Sequence, residues 1–72
     1  MDERKIERIE IHSKPAGGAE VYVCEQDEGV YYVRFVGRIA DPRRALSVAF
    51  ALSVALEVPV VSVKGNRREV LF

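Results

Sequence analysis

The chain has 72 residues, a single cysteine and 11 basic against 11 acidic side chains, so its formal net charge is zero. A chain this short forms one domain, residues 1–72, and its thin stability margin favours partners because it buries only about 60% of its unfolded surface. The lone Cys24 excludes an intrachain disulfide and argues against a cysteine-based zinc site. Zero net charge argues against a uniformly basic nucleic-acid-binding protein.

Charge is unevenly distributed along the chain. Residues 1–28 hold eight acids and four bases, whereas residues 29–72 hold seven bases and three acids. This asymmetry indicates a charged patch, unless the two halves pair with each other in the fold. One Asn and one Gln beside many Arg, Glu and Val residues are typical of a thermophilic source. The charged N-terminal segment has no apolar h-region, which predicts a cytoplasmic protein without a secretory signal.

The first half of the chain predicts three antiparallel strands. Ile9 and Ile11 alternate with polar residues and predict a strand over about residues 5–13, in which Ile6 breaks the parity and a bulge would restore it. The turn cluster Pro15 to Gly18 precedes a second strand, and the turn at residues 26–29 precedes a third. The inward residues are predicted to be Ala19, Val21, Val23, Tyr31, Val33 and Phe35.

The second half predicts one helix and a β-hairpin. Asp41 caps the helix and Pro42 occupies its first position, where the missing N–H costs nothing. The helix is expected to run to Glu57, because Pro59 disfavours helix at the residue before it. Strands over Val60–Lys64 and Arg67–Phe72 follow, joined by the turn Gly65–Asn66. The predicted fold class is α+β with element order βββαββ and the helix packed on one face of the sheet.

The helix is apolar on nearly every side, which a single sheet cannot cover. One side is expected to pack on the sheet, and its residues are Ala45, Val48, Ala49, Leu52, Ala55 and Leu56. The opposite side carries an apolar stripe, Leu46, Phe50 and Val54, which predicts a homodimer or higher oligomer. The stripe could instead bind an apolar ligand or another protein. A membrane span over residues 45–63 is disfavoured, since Glu57 and Pro59 interrupt it.

Candidate chemistry is limited. His12 on the first strand and Cys24 on the second could form a nucleophile–base pair, but no third group orients them. The favoured interpretation is an ordinary exposed histidine and a half-buried cysteine. No motif predicts a metal or a cofactor, and Gly17–Gly18 precedes a strand, so it is a turn and not a phosphate-binding loop.

A nucleic-acid-binding face is the leading functional prediction. With the valines inward, the other face of the sheet would present Tyr22, Tyr32, Arg34 and Arg38, so that bases stack on tyrosines while arginines hold phosphates. Five further basic residues could extend this path: Arg43, Arg44, Lys64, Arg67 and Arg68. The alternatives are that the tyrosines form a cross-strand packing pair, or that Val30, Val36 and Val60 make this face a subunit contact.

This pattern of a short strand meander, one apolar helix and interleaved Tyr and Arg resembles the small thermostable single-stranded-DNA-binding proteins of hyperthermophilic archaea and their shorter relatives. The resemblance implies an oligomer with a DNA-binding groove of aromatic and basic residues. The sequence therefore predicts a non-enzymatic oligomeric module for single-stranded DNA or RNA, since the apolar helix cannot serve as a recognition helix. The alternatives are a protein–protein interaction or assembly subunit and, third, a small enzyme.

Overall fold

The computed structural model describes residues 5–72; the first four residues of the charged N-terminal segment lie outside the described residues. Five strands and one helix follow the predicted order βββαββ. Their bounds are β1 Lys5–Ser13, β2 Ala19–Asp27, β3 Val30–Ile39, α1 Pro42–Leu56, β4 Val60–Lys64 and β5 Arg67–Val70. The predicted α+β fold class is confirmed.

All five strands form one sheet in the order β3-β2-β1-β4-β5. β1, β2 and β3 pair antiparallel as a meander, and β4 and β5 form an antiparallel hairpin. β4 joins β1 in parallel, with Ile9 opposite Val60. The helix provides the crossover that this parallel pair requires, so β3 and β5 are left as the two edges of the sheet.

The helix begins and ends with side-chain and backbone caps. The Asp41 carboxylate accepts a hydrogen bond from the Arg43 N–H at 2.9 Å, and Pro42 follows as predicted. The helix ends at Leu56, one residue earlier than expected, with Glu57 in the left-handed conformation at φ 56°. Ser53 closes this end: its hydroxyl donates to the Val58 carbonyl, and its own carbonyl accepts from the Val58 N–H.

The helix covers one face of the sheet, which we call the covered face. The core between them consists of Ile9, Ile11, Ala19, Val21, Val23, Ala45, Ala49 and Val60. Ile6 packs against this core because a β-bulge between Ile6 and Arg8 restores the parity of β1. On the helix, Ser53 is buried and Ala55 is exposed, contrary to the predicted packing side.

The C-terminal residues pack against the helix. β5 ends at Val70 and not at Phe72, and the Leu71 N–H then donates to the Val60 carbonyl at 2.8 Å. The Phe72 ring meets the Phe50 ring edge-on, with centroids 4.9 Å apart. This contact touches the predicted apolar stripe, yet Leu46, Phe50 and Val54 all remain exposed. Within residues 5–72, no helix is long and apolar enough to cross a membrane.

Candidate nucleic-acid interface

The second face of the sheet, which we call the open face, has no described element packed on it. Its composition follows from the register of β2 and β3. Tyr22 lies opposite Phe35, Cys24 opposite Val33 and Gln26 opposite Tyr31. Because directly opposite residues share a face and Val21 and Val23 point into the core, these pairs all lie on the open face.

This register differs from the predicted one. The sequence prediction placed Tyr31, Val33 and Phe35 inward, whereas the structure places them on the open face. The predicted quartet is divided: Tyr22 and Arg38 lie on the open face, while Tyr32 and Arg34 lie on the covered side, opposite Glu25 and Val23. There the Arg34 guanidinium pairs with the Glu25 carboxylate at 3.5 Å.

The remaining predicted basic residues lie in three places. Arg68 is on the open face, since it pairs opposite Val63, which is itself opposite His12. Arg43 and Arg44 are exposed at the start of the helix. Lys64 and Arg67 flank the β4–β5 turn and line one groove together with Arg68. The structure therefore brings together only part of the predicted path.

An aromatic row crosses three strands of the open face. The His12 and Tyr22 ring centroids are 4.8 Å apart, and those of Tyr22 and Phe35 are 5.5 Å apart, both pairs tilted by about 60°. Phe35 is 54% exposed, and Tyr31, four residues before it on β3, is 60% exposed. Large apolar side chains on an uncovered sheet face are unusual for a solvated surface and typical of a binding surface.

The length of the β2–β3 turn would have revealed this row. The turn has two residues, Glu28 and Gly29, both with positive φ, as a type I′ hairpin requires. A two-residue turn pairs Asp27 with Val30. Counting outward from that pair, with no irregularity in between, places Tyr22 opposite Phe35. The bulge occurs only beyond this pair, at Val36, which has no residue opposite it.

Glu10 is buried at the centre of the open face. It is 4% exposed, and its carboxylate accepts from Arg8 at 2.6 Å, from His12 at 2.8 Å and from Arg68 at 3.2 Å. Burial alone would raise the pKa of Glu10, but the hydrogen bonds from His12 and Arg8 and the charges of Arg8 and Arg68 outweigh it and lower the pKa to about 2. Glu10 is therefore charged and internally compensated at neutral pH.

Glu20 is the second carboxylate of this face and is also paired. It binds the Lys14 ammonium group at 2.8 Å and accepts from the Tyr22 hydroxyl at 2.8 Å. These hydrogen bonds lower the pKa of Glu20, and they raise the pKa of Tyr22. The hydroxyl bond also fixes the tilt of the Tyr22 ring within the row. Glu10 and Glu20 are thus both paired with basic side chains of the same face.

Cys24 is unsuited to the catalytic role considered from the sequence. It is 1% exposed and lies opposite Arg8, not His12. Burial, reinforced by the negative charge of Glu10, raises the pKa of the thiol to about 11. A thiol is a nucleophile only as its thiolate, so this one is inert at neutral pH. No group of three metal-ligating side chains occurs among residues 5–72.

Comparison of the chain with protein-family models, curated proteins and solved structures finds no match. The resemblance to single-stranded-DNA-binding proteins therefore stays a prediction. The class that fold and surface define is a mixed-sheet α+β domain with one face covered by a helix and an aromatic row on the other.

Proposed function

We propose that this protein binds single-stranded nucleic acid across the open face of its sheet. The observation that carries the proposal is the aromatic row His12, Tyr22 and Phe35 on a face that no described element covers. Every base has a π-face, so stacking on such rings is tolerant of sequence and is worth about 1–3 kcal/mol per base. An open sheet face with aromatic side chains is also the geometry by which one common RNA-binding module stacks bases.

Cations on the same face support the proposal. Arg38 is exposed on the open face, and so is Arg68, which also pairs with Glu10 at 3.2 Å. An arginine guanidinium binds phosphate oxygens in a bidentate manner, which aligns a backbone beside the stacked bases. The acids Glu10 and Glu20 are already paired within the protein, so they offer less repulsion to phosphate than exposed carboxylates would.

The test is fluorescence anisotropy with labelled oligo-dT and oligo-U at two salt concentrations. Loss of one stacked base in Phe35→Ala is expected to weaken binding roughly 5- to 150-fold. Phe50→Ala is the matched control, since Phe50 is a similarly exposed phenylalanine on the helix. Binding should also weaken with salt by a slope of about −0.7 per phosphate contact. Equal affinities for the two variants would overturn the proposed site.

A second comparison separates the two faces of the sheet. Tyr31 and Tyr32 are neighbours on β3, but Tyr31 lies on the open face and Tyr32 on the covered side. We expect Tyr31→Ala to reduce affinity and Tyr32→Ala to leave it unchanged. The opposite result would restore the face predicted from sequence and exclude the aromatic row as the binding surface.

Self-association through the helix is a second proposed function, and its support is the exposure of Leu46, Phe50 and Val54 on the side of the helix away from the sheet. Burying such a stripe against a second copy would stabilise the dimer by about 25 cal/mol per Å² of buried apolar surface. Under this proposal the chain is an assembly subunit whether or not it binds nucleic acid. Phe50→Glu tests the stripe, because a charge there would have to be desolvated for two copies to associate.

A further inference from the structure

The two edges of the sheet differ in how they resist pairing with another chain. An edge strand presents unpaired backbone N–H and C=O groups, and proteins protect such edges with short strands and charged residues. β5 fits this description, with four residues of which Arg67, Arg68 and Glu69 are charged. β3 is much longer, with ten residues and no Pro, and only two of its residues, Arg34 and Arg38, are charged. Its exposed large apolar residues are Val30, Tyr31, Val33, Phe35 and Val36.

We propose that β3 of one copy pairs antiparallel with β3 of a second copy about a two-fold axis at Val33, forming one continuous ten-stranded sheet. The axis stands perpendicular to the sheet and preserves its faces. A residue can then lie opposite only a residue of the same face. The residue numbers of two opposite positions must therefore add to an even sum, which leaves few registers to compare.

Charge and apolar contact select one register among these. With Val33 on the axis, Val33 faces Val33 of the second copy and Tyr31 faces Phe35 of the second copy. Arg34 then faces Tyr32 of the second copy. If the axis were shifted by one residue to Arg34, Arg34 would lie opposite Arg34 of the second copy, and like charges directly opposite are destabilising. A shift toward the N-terminus would put Phe35 opposite Gly29, leaving that ring without a partner.

The regular part of the edge matches this register. β3 follows its pairing with β2 without irregularity from Val30 to Phe35, and the bulge at Val36 ends that stretch. The proposed register pairs the five residues from Tyr31 to Phe35, and all five lie within this regular stretch. Cross-strand aromatic pairs such as Tyr31 with Phe35 of the second copy add to the stability of antiparallel sheets.

This pairing stands apart from the binding of nucleic acid and does not require it. Its consequence for the open face is geometric: the aromatic rows of two copies would lie on one uninterrupted sheet surface. It also differs from association through the helix, since Phe50 lies on the helix and the paired residues lie on β3. A dimer through β3 leaves the helix stripe exposed.

Disulfide trapping tests the register. Residues directly opposite have Cα atoms about 4.5–5.5 Å apart, which is within the range that a disulfide spans. Val33→Cys is therefore expected to form a covalent dimer under mild oxidation. In the same register, the Cα atoms of Tyr32 in the two copies lie about 8 Å apart, and those of Arg34 in the two copies are separated by the same distance. Tyr32→Cys and Arg34→Cys should therefore remain monomeric on a non-reducing gel.

All three variants are made in a Cys24→Ala background, because Cys24 lies directly opposite Val33 on β2 and would otherwise compete for the introduced thiol within one chain. Trapping by Val33→Cys alone supports the proposal. Trapping by Tyr32→Cys or Arg34→Cys in its place would overturn the register, and trapping by none would overturn the β3 pairing. All three positions are at the edge of the sheet, and circular dichroism of each variant establishes that it is folded.

A charge substitution tests the same edge by mass. Val33→Lys is expected to halve the mass measured by sedimentation equilibrium, because the ammonium groups of the two copies would lie side by side at the two-fold axis and repel each other. Val70→Lys is the matched control on the other edge, since Val33 is 62% and Val70 67% exposed. Equal masses for wild type and both variants would contradict the pairing, whatever the outcome of the oligonucleotide titrations.

Discussion

Glu10 ties the strands of the open face together at a single carboxylate. Its two oxygens receive groups from β1, through Arg8 and His12, and from β5, through Arg68. β5 lies two strands away from β1 in the sheet. A charged group that is buried and paired contributes to stability only while it stays ionised. The pH dependence of unfolding should therefore depend on this residue.

We expect Glu10→Gln to flatten the acid dependence of stability. The pKa of Glu10 is lowered from its ordinary value of 4.5 to about 2 in the folded state. The wild type therefore has this stabilisation in full above about pH 5 and loses it as the pH falls through about 2. The pKa difference between the unfolded and folded states corresponds to a stabilisation on the order of 3 kcal/mol. Urea unfolding at pH 7, 4 and 2.5 measures it.

Glu69→Gln serves as the control for this experiment, because Glu69 is an exposed carboxylate on β5. It should retain the wild-type dependence on pH. If Glu10→Gln retained that dependence as well, the cluster around Glu10 would not stabilise the fold. The variant keeps the shape of the side chain, so a change in packing would not account for a difference.

At the scale of the elements, the β2–β3 turn contains a residue in an unfavourable conformation. Glu28 has φ 49° and Gly29 has φ 83°. A type I′ turn favours Asn before Gly, because Asn tolerates a positive φ better than residues with longer side chains do. Glu28→Asn is expected to raise the free energy of unfolding by about 0.5–1 kcal/mol.

The control for the turn is Glu28→Ala, which removes the same carboxylate but gives no tolerance for positive φ. Chemical denaturation compares the three proteins. A gain in Glu28→Asn alone confirms the conformational cause. An equal gain in both variants would show that the charge of Glu28, and not its backbone, destabilises the turn.

The same turn explains why the elements could be predicted and the interface could not. Alternation and caps are local signals, so the strands, the helix start at Asp41 and the bulge near Ile6 follow from sequence. The face that each β3 residue occupies depends on pairing with β2, and one residue of register exchanges the faces. Alternation in β3 places apolar and aromatic residues on both parities, so hydrophobicity alone could not choose. The parallel pairing of β1 with β4 has no local signal.

At the scale of the whole molecule, the exposed apolar side chains of residues 5–72 include two separate groups. One is the helix stripe Leu46, Phe50 and Val54, and the other is the β3 edge centred on Val33. A two-fold interface uses the same surface on both copies, so each group would contact its counterpart on a second copy. Two such interfaces in one chain generate a tetramer when their axes are perpendicular and a longer assembly otherwise.

Combining the two interface variants distinguishes these arrangements. If both surfaces operate, the wild type sediments as a species larger than a dimer, Phe50→Glu and Val33→Lys each leave a dimer, and the double variant is a monomer. If only the β3 edge operates, the wild type is a dimer and Phe50→Glu does not change its mass. Each result assigns the remaining contact to one surface, because the two sets of residues do not overlap. Sedimentation velocity over a range of protein concentrations measures the masses, with Val70→Lys as the control for an added surface charge.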